Sequence, residues 1–174
     1  MPRKSRDSET ERPPLTSNQA RTLALSWLGL RELSKAQVRQ RLRRRGVAPD
    51  VVDEVIASLV DVGALNEERL ALAAARRETA IRGRGPVRAR MALRALGLGE
   101  ATVDAALAAA LEQVDVEALL DRALDKRLAR VGAGPLDRAT FRKLVSALVR
   151  QGFEGPTVMA RLRRRGASTT DDEV

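Results

Sequence analysis

Arg41-Leu42-Arg43-Arg44-Arg45-Gly46 is repeated, residue for residue, at Arg161-Leu162-Arg163-Arg164-Arg165-Gly166. Each copy closes a stretch of helical periodicity in which a Val and a Leu stand four residues apart, Val38/Leu42 and Val158/Leu162. A weaker copy lies between them at Arg90–Gly97, with Leu93 in the place of Leu42. A helical unit that recurs with a basic edge marks a repeat protein, in which neighbouring units complete one another's core. The pattern points to binding along something long and negatively charged, and away from a catalytic pocket.

Working outward from the first copy, a helix is expected from Ser17 to Leu30, with Leu23, Trp27 and Leu30 on one face. Ser34 caps a second helix that Gly46 ends. Pro49 and Asp50 open a third, on which Val52, Val55, Ile56 and Leu59 follow the helical period until Gly63. Moving this unit from Leu42 to Leu93 superposes Val52 on Val103, Asp53 on Asp104 and Ile56 on Leu107, so a second unit follows the plan of the first. Asn66 caps its first helix, which carries Leu70, Ala73, Ala74 and Ile81, and Gly83–Pro86 turns the chain into the next. A third begins near Asp115 with a stripe of Val116, Leu119, Leu120, Ala123 and Leu124. It breaks at Gly132–Pro135 and resumes at Asp137 with Phe141, Leu144, Val145 and Leu148. Its last helix holds the second hexapeptide, and no helix is expected beyond Gly166.

The expected fold is therefore all-α, an elongated modular array of three tandem three-helix repeats with the third truncated. Its segments are a disordered tail at 1–17, repeats at 18–64, 65–113 and 114–166, and an acidic tail at 167–174 ending in Asp171-Asp172-Glu173. Gly85 and Gly152 are read as turn glycines.

Composition narrows the chemistry. With no Cys and no His among 174 residues, thiol and imidazole catalysis, disulfides and Cys/His zinc sites are excluded. No clustered acidic loop of the calcium type and no phosphate-cradling glycine loop appears. No cofactor or metal is expected, and no enzymatic activity. Only two Phe, one Trp and no Tyr are present, which weakens any proposal built on stacking single-stranded bases. Trp27, Phe141 and Phe153 are better explained as core. No apolar run is long enough to cross a membrane, and the polar N-terminus lacks the form of a secretory signal. A cytoplasmic monomer is the expectation.

Charge is segregated along the chain, which carries a net +9. Arg31, Lys35, Arg39, Arg41, Arg43, Arg44 and Arg45 stand against Glu32 alone. Arg76, Arg77, Arg82, Arg84, Arg88, Arg90 and Arg94 stand against Glu78. Arg142, Lys143, Arg150, Arg161, Arg163, Arg164 and Arg165 stand against Glu154. The stretches between these runs are acidic. A single charge run is ordinarily a solvated face. Three equal runs, read as lying on the same helix of each repeat, suit phosphate or carboxylate partners through bidentate guanidinium contacts. The competing reading pairs these arginines internally with Asp50, Asp53 or Glu54.

Together these features resemble the RecX family of bacterial recombination regulators, over about residues 18–166. Ala24-Leu25, Leu28, Arg31, Ser34, Val38, Leu42 and Gly46 are similar to the family's opening pattern. Val55-Ile56, Leu59 and Gly63 to Ala71 resemble its central segment, and Arg82 to Gly85 with Leu93 and Gly97-Leu98 its downstream stretch. Lys143-Leu144 and Leu148 to Phe153 are similar to its closing element. The usual Asp and Phe of the central segment are Asn66 and Leu70 here. Asn caps as well as Asp, and Leu fills a core.

The resemblance implies a non-enzymatic, modular helical protein. It would bind the RecA recombinase filament on single-stranded DNA, lie in its groove across successive protomers, and suppress ATP hydrolysis, strand exchange and repressor cleavage in the SOS response. The residues expected to touch filament or DNA are Arg39, Arg41, Arg43, Arg44, Arg45, Arg161, Arg163, Arg164 and Arg165, then Arg88, Arg90 and Arg94. The runner-up is a general helical nucleic-acid binder acting on naked DNA, although no helix combines Arg with the Asn, Gln or Ser of base readout.

Overall fold

The computed structural model describes residues 15–131 and 136–165. Most of the expected N-terminal tail, the Gly132–Pro135 break and the acidic tail lie outside the described residues. Leu15 packs on the first core and the Thr16 side chain caps the first helix, so order begins before residue 17. Nine α-helices and no strand are found among the described residues. They are α1 (Ser17–Leu30), α2 (Lys35–Arg44), α3 (Pro49–Asp61), α4 (Glu67–Arg76), α5 (Pro86–Arg94), α6 (Glu100–Leu111), α7 (Val116–Val131), α8 (Arg138–Gln151) and α9 (Gly155–Arg164). A π-helical turn, Arg77–Ile81, prolongs α4.

Local chemistry sets these boundaries. Thr16 with Gln19, and Ser34 with Gln37, form reciprocal capping boxes. Asn66 accepts from the Arg69 backbone N–H at 2.7 Å, and Asp137 accepts from that of Thr140 at 2.6 Å. Pro stands at the start of α3, α5 and α9, where its missing N–H costs nothing.

Three separate apolar clusters form, one within each set of three consecutive helices. The chain divides into two compact units, one ending at Leu65 and the other starting at Asn66. In the first, α1 and α2 both pack on α3 around Val38, Leu42, Val52 and Leu59, all fully buried. The buried face of α1 is Ala20 and Ala24, with Trp27 and Leu28 partly covered, while Leu30 is 86% exposed. The expected Leu23/Trp27/Leu30 stripe is thus rotated, because small residues let α1 approach α3 closely and the largest side chains fall beside that contact. Ile81 is likewise displaced to the surface, where the π-helical turn shifts the helix face.

The second unit overturns the expected register of the third repeat. Gly46, Gly97 and Gly152 all adopt positive φ, a region that favours glycine. Each is followed by a buried apolar residue, Val47, Leu98 or Phe153. The next helix then buries Val52 and Ile56, Val103 and Leu107, or Val158 and Leu162. Gly152, not Gly166, is the counterpart of Gly46. The second hexapeptide therefore ends the third helix of its repeat, whereas the first ends a second helix. The third repeat is complete rather than truncated, with α7, α8 and α9 around its own core. Its basic run straddles α8 and α9, and that of repeat 2 runs from the end of α4 through the π-helical turn and the following loop into α5, so the three runs do not lie on the same helix of each repeat.

Repeats 2 and 3 join through main chain. The Gly85 N–H donates to the Gln151 carbonyl at 3.0 Å, and the Val87 N–H to the Gly152 carbonyl at 3.1 Å. Val87 is the second residue of α5, so a carbonyl from repeat 3 takes one of the orphan N–H groups of that helix start, whereas in α2 the Ser34 side chain takes the N–H of Gln37, one position later. The Gln151 side chain returns a bond from Nε2 to the Gly83 carbonyl at 2.6 Å. A Cβ on Gly85 would lie 2.2 Å from the Gly152 oxygen, and one on Gly152 would lie 2.3 Å from the Arg88 Cβ. These two glycines permit a close approach of two backbones, a stronger requirement than the turn role expected of them.

Candidate functional site

The twelve arginines expected to form the interface divide by environment. On α2, Arg39 reaches Asp53 of α3 at 2.7 Å, and the Arg41 guanidinium sits 5.4 Å from the centre of the Trp27 ring. Stacking of this kind contributes about 0.5–1 kcal/mol when exposed. Trp27 is thus half core and half platform. On α5, Arg90 bonds Asp104 of α6, and Arg94 grips Glu100 with two bonds of 2.7 Å. That hydrogen bond from Arg94 holds the Glu100 carboxyl below the usual carboxylate range. On α9, Arg161 reaches Glu117 at 2.6 Å and Asp121 at 3.4 Å, both on α7. Arg165 lies 2.8 Å from Asp121 and also bonds Asp125.

The Arg39–Asp53 and Arg90–Asp104 pairs occupy equivalent positions of repeats 1 and 2. In repeat 3 those positions hold Val145 and Met159. One ion pair between second and third helices has become an apolar pair, and the acids that engage α9 come from α7 instead. The competing reading of the arginines as internal partners therefore accounts for Arg39, Arg90, Arg94, Arg161 and Arg165.

Six remain. Arg43, Arg44, Arg45, Arg88, Arg163 and Arg164 are exposed, and none meets an acid among the described residues. Arg43–Arg45 end α2 and Arg163–Arg164 end α9, at helix C-termini whose partial negative charge favours cations. Guanidinium groups held in this way keep their donors free for phosphate or carboxylate.

One buried acid escaped the sequence reading. Glu78, in the π-helical turn, is 2% exposed and bonded to Arg82 at 2.6 Å and to Arg84. In the sequence it stands only as the lone acid of a basic run. Its i, i+4 relation to Arg82 was visible in the sequence, but nothing there showed its burial. Among the described residues, no group of three acidic, His or Cys side chains is placed to hold a metal, and no helix is long and apolar enough to cross a membrane.

This arrangement of helical repeats is shared with known proteins. The family described as "RecX, first three-helix domain" matches residues 20–59. The Regulatory protein RecX of Halorhodospira halophila is 35% identical over 159 residues, covering 90% of this chain and 92% of its own. The chain belongs to the RecX family. The RecX of Xanthomonas axonopodis pv. citri is also 35% identical, over 80% of this chain and 83% of its own. That of Deinococcus radiodurans is 29% identical over 94% of this chain and 78% of its own. The crystal structure of RecX from Lactobacillus salivarius superposes with a TM-score of 0.72 at 18% identity, covering 87% of this chain and 97% of that one. A second RecX crystal structure gives a TM-score of 0.67 at 19% identity, covering 83% and 73%.

The two departures from the RecX pattern are structurally conservative. Asn66 caps α4, and Leu70 enters the second core at 8% exposure. Phe153 is buried in the third core. The aromatic residues thus leave little with which to stack bases.

Proposed function

We propose that this protein is a cytoplasmic, monomeric negative regulator of homologous recombination and of the SOS response. It binds the RecA filament on single-stranded DNA along the filament groove and inhibits ATP hydrolysis, strand exchange and repressor cleavage. Membership of the regulatory RecX family over nearly the whole chain carries this reading. The unpaired arginines at the ends of α2 and α9 add to it, since exposed guanidinium groups at helix ends suit phosphate or carboxylate acceptors. Contacts of modest strength, repeated along one chain, raise avidity without any single strong site.

The binding contribution rests chiefly on Arg43, Arg44, Arg45, Arg88, Arg163 and Arg164. Arg39, Arg41, Arg90, Arg94, Arg161 and Arg165 hold the basic edges in shape and offer their remaining donors. The test is ATP turnover by preformed RecA filaments on single-stranded DNA at physiological salt, with the protein titrated in. Suppression at well below one molecule per recombinase protomer is expected. Suppression only when the DNA itself is saturated would favour the naked-DNA binder, whose phosphate contacts fade steeply as salt rises. No suppression would reject the proposal.

A further inference from the structure

Where repeats 2 and 3 meet, α5 and the end of α8 border a groove of about 610 Å³ whose aliphatic lining none of the roles above uses. Its floor is aliphatic: Val87 is 47% exposed, Met91 54% and Val149 43%. Its rim is cationic, with Arg88 and Arg150 meeting no acid among the described residues. Arg82 and Arg84 complete the rim, and both are tethered to the buried carboxylate of Glu78. The main-chain bonds from Gly85 and Val87 fix the two walls together.

The repeats supply their own control. At the position of Met91, repeat 1 has Gln40 and repeat 3 has Ser146. At the position of Val149, repeats 1 and 2 have Arg43 and Arg94. Polar positions of the repeat have turned aliphatic at the two places that face this groove, and nowhere does a core need them. Exposed aliphatics cost solubility, and their clustering within a ring of Arg marks a contact surface.

We infer that this groove docks an acidic segment of a protein partner, one that presents aliphatic side chains between carboxylates. Carboxylates answer Arg88 and Arg150, and apolar side chains cover Val87, Met91 and Val149. Methionine adapts to such side chains through its flexible thioether. Single-stranded DNA is the poorer occupant, because no aromatic ring lines the groove to stack a base. If the partner is a RecA protomer, a clause that rests on the proposed function, the groove supplies protein contact while the ends of α2 and α9 supply charge.

The test separates the groove from that function. Met1, Met91 and Met159 are the only methionines, so ¹³C-methyl labelling gives three signals with Met91 in the groove and Met159 on α9 as internal reference. A short fluorescein-labelled peptide of alternating aspartate and leucine should shift the Met91 methyl and leave Met159 in place, whereas an oligo-dT should not move Met91. Changing Met91→Gln and Val149→Gln together, both at exposed positions, should weaken peptide binding about tenfold by anisotropy, roughly 1.4 kcal/mol. Oligo-dT binding and the helical circular dichroism should stay unchanged. A Met91 shift with oligo-dT instead of peptide would hand the groove to nucleic acid and overturn the inference, as would no shift with either probe. Unsuppressed RecA turnover alongside an intact peptide response would reject the proposed function and leave the groove standing. Full suppression by the double variant would remove the RecA protomer as occupant.

Discussion

The hexapeptides Arg41–Gly46 and Arg161–Gly166 are the same six residues with different fates. In the first, Arg41 lies over Trp27, Arg43 and Arg44 are exposed on the last turn, and Gly46 takes φ +74°. In the second, the flanking Arg161 and Arg165 are drawn into the acids of α7, leaving Arg163 and Arg164 outside. The difference arises from which helix carries the motif. A second helix presents its end beside the third helix of its own repeat, whereas α9 lies along α7, whose acids recur at Glu117, Asp121 and Asp125. Identical sequence thus leaves more cationic surface free in repeat 1 than in repeat 3.

The sharpest way to break the equivalence of the repeats is at their glycines. Gly46 and Gly152 share a position and a positive φ, but a Cβ at Gly46 meets open space while one at Gly152 strikes the α5 backbone at Arg88. Gly46→Ala should cost about 1–2 kcal/mol, the left-handed penalty alone. Gly152→Ala adds a steric clash that neither backbone can relieve without losing the bonds at Gly85 and Val87, and should cost more than about 3 kcal/mol. Urea unfolding of the two variants measures this, and equal losses would mean that the two backbones separate freely.

Next in size is the binding comparison between the hexapeptides. Arg43, Arg44 and Arg45 changed together to Ala should cost only about 1 kcal/mol, since none meets an acid and only their salt-screened attraction to the α2 C-terminus is lost. Filament binding should weaken and its salt dependence flatten, by about 0.7 in the log–log slope for each lost contact to single-stranded phosphate. Arg163→Ala with Arg164→Ala should act in the same direction with fewer contacts. Anisotropy over a salt series decides this, and an unchanged slope in both variants would remove these residues from the interface.

The ion pairs sharpen the contrast on the stability side. Arg165→Ala should destabilise by about 0.2–1 kcal/mol, the scale of a partly exposed pair, and Arg39→Ala should lie in the same range. A double-mutant cycle on Arg39 and Asp53 should give a coupling of that order, which the Val145 and Met159 positions of repeat 3 cannot show. Coupling near zero would make the repeated pair ornamental to the fold.

Much of this architecture is legible in the sequence because helical periodicity and capping residues are local. Ser34, Asn66, Asp137 and the buried Val/Leu pairs need no knowledge of distant neighbours. The register of repeat 3 is obscured in the sequence because an identical hexapeptide outweighs the glycine spacing. Arg is free to decorate any helix end, whereas positive φ is tied to a particular turn, so Gly152 was the better marker. The Gly85–Gly152 contact joins segments far apart in the chain, and no local signal reports it or the burial of Glu78. For the same reason the sequence displayed all twelve arginines as equals, when the acids of neighbouring helices hold five of them.

The smallest expected difference between repeats lies in their caps and appears only in acid. Helix α2 is capped by the Ser34 hydroxyl, which does not titrate near neutrality, and α8 by the Asp137 carboxylate. The Thr140 backbone N–H that donates to Asp137 holds that carboxyl below its ordinary range. A carboxyl whose folded value is depressed favours folding above the ordinary range near about 4, and this contribution is lost as pH falls through the folded value. Helix α8 should therefore loosen first on acidification while α2 keeps its cap. Amide exchange read at Thr140 and at Gln37, the two capped N–H groups, follows each helix separately. Asp137→Asn retains an acceptor without a titrating proton and should flatten the acid response at Thr140. A response that persists unchanged in that variant would assign it to other carboxylates of the second unit, among them Glu100.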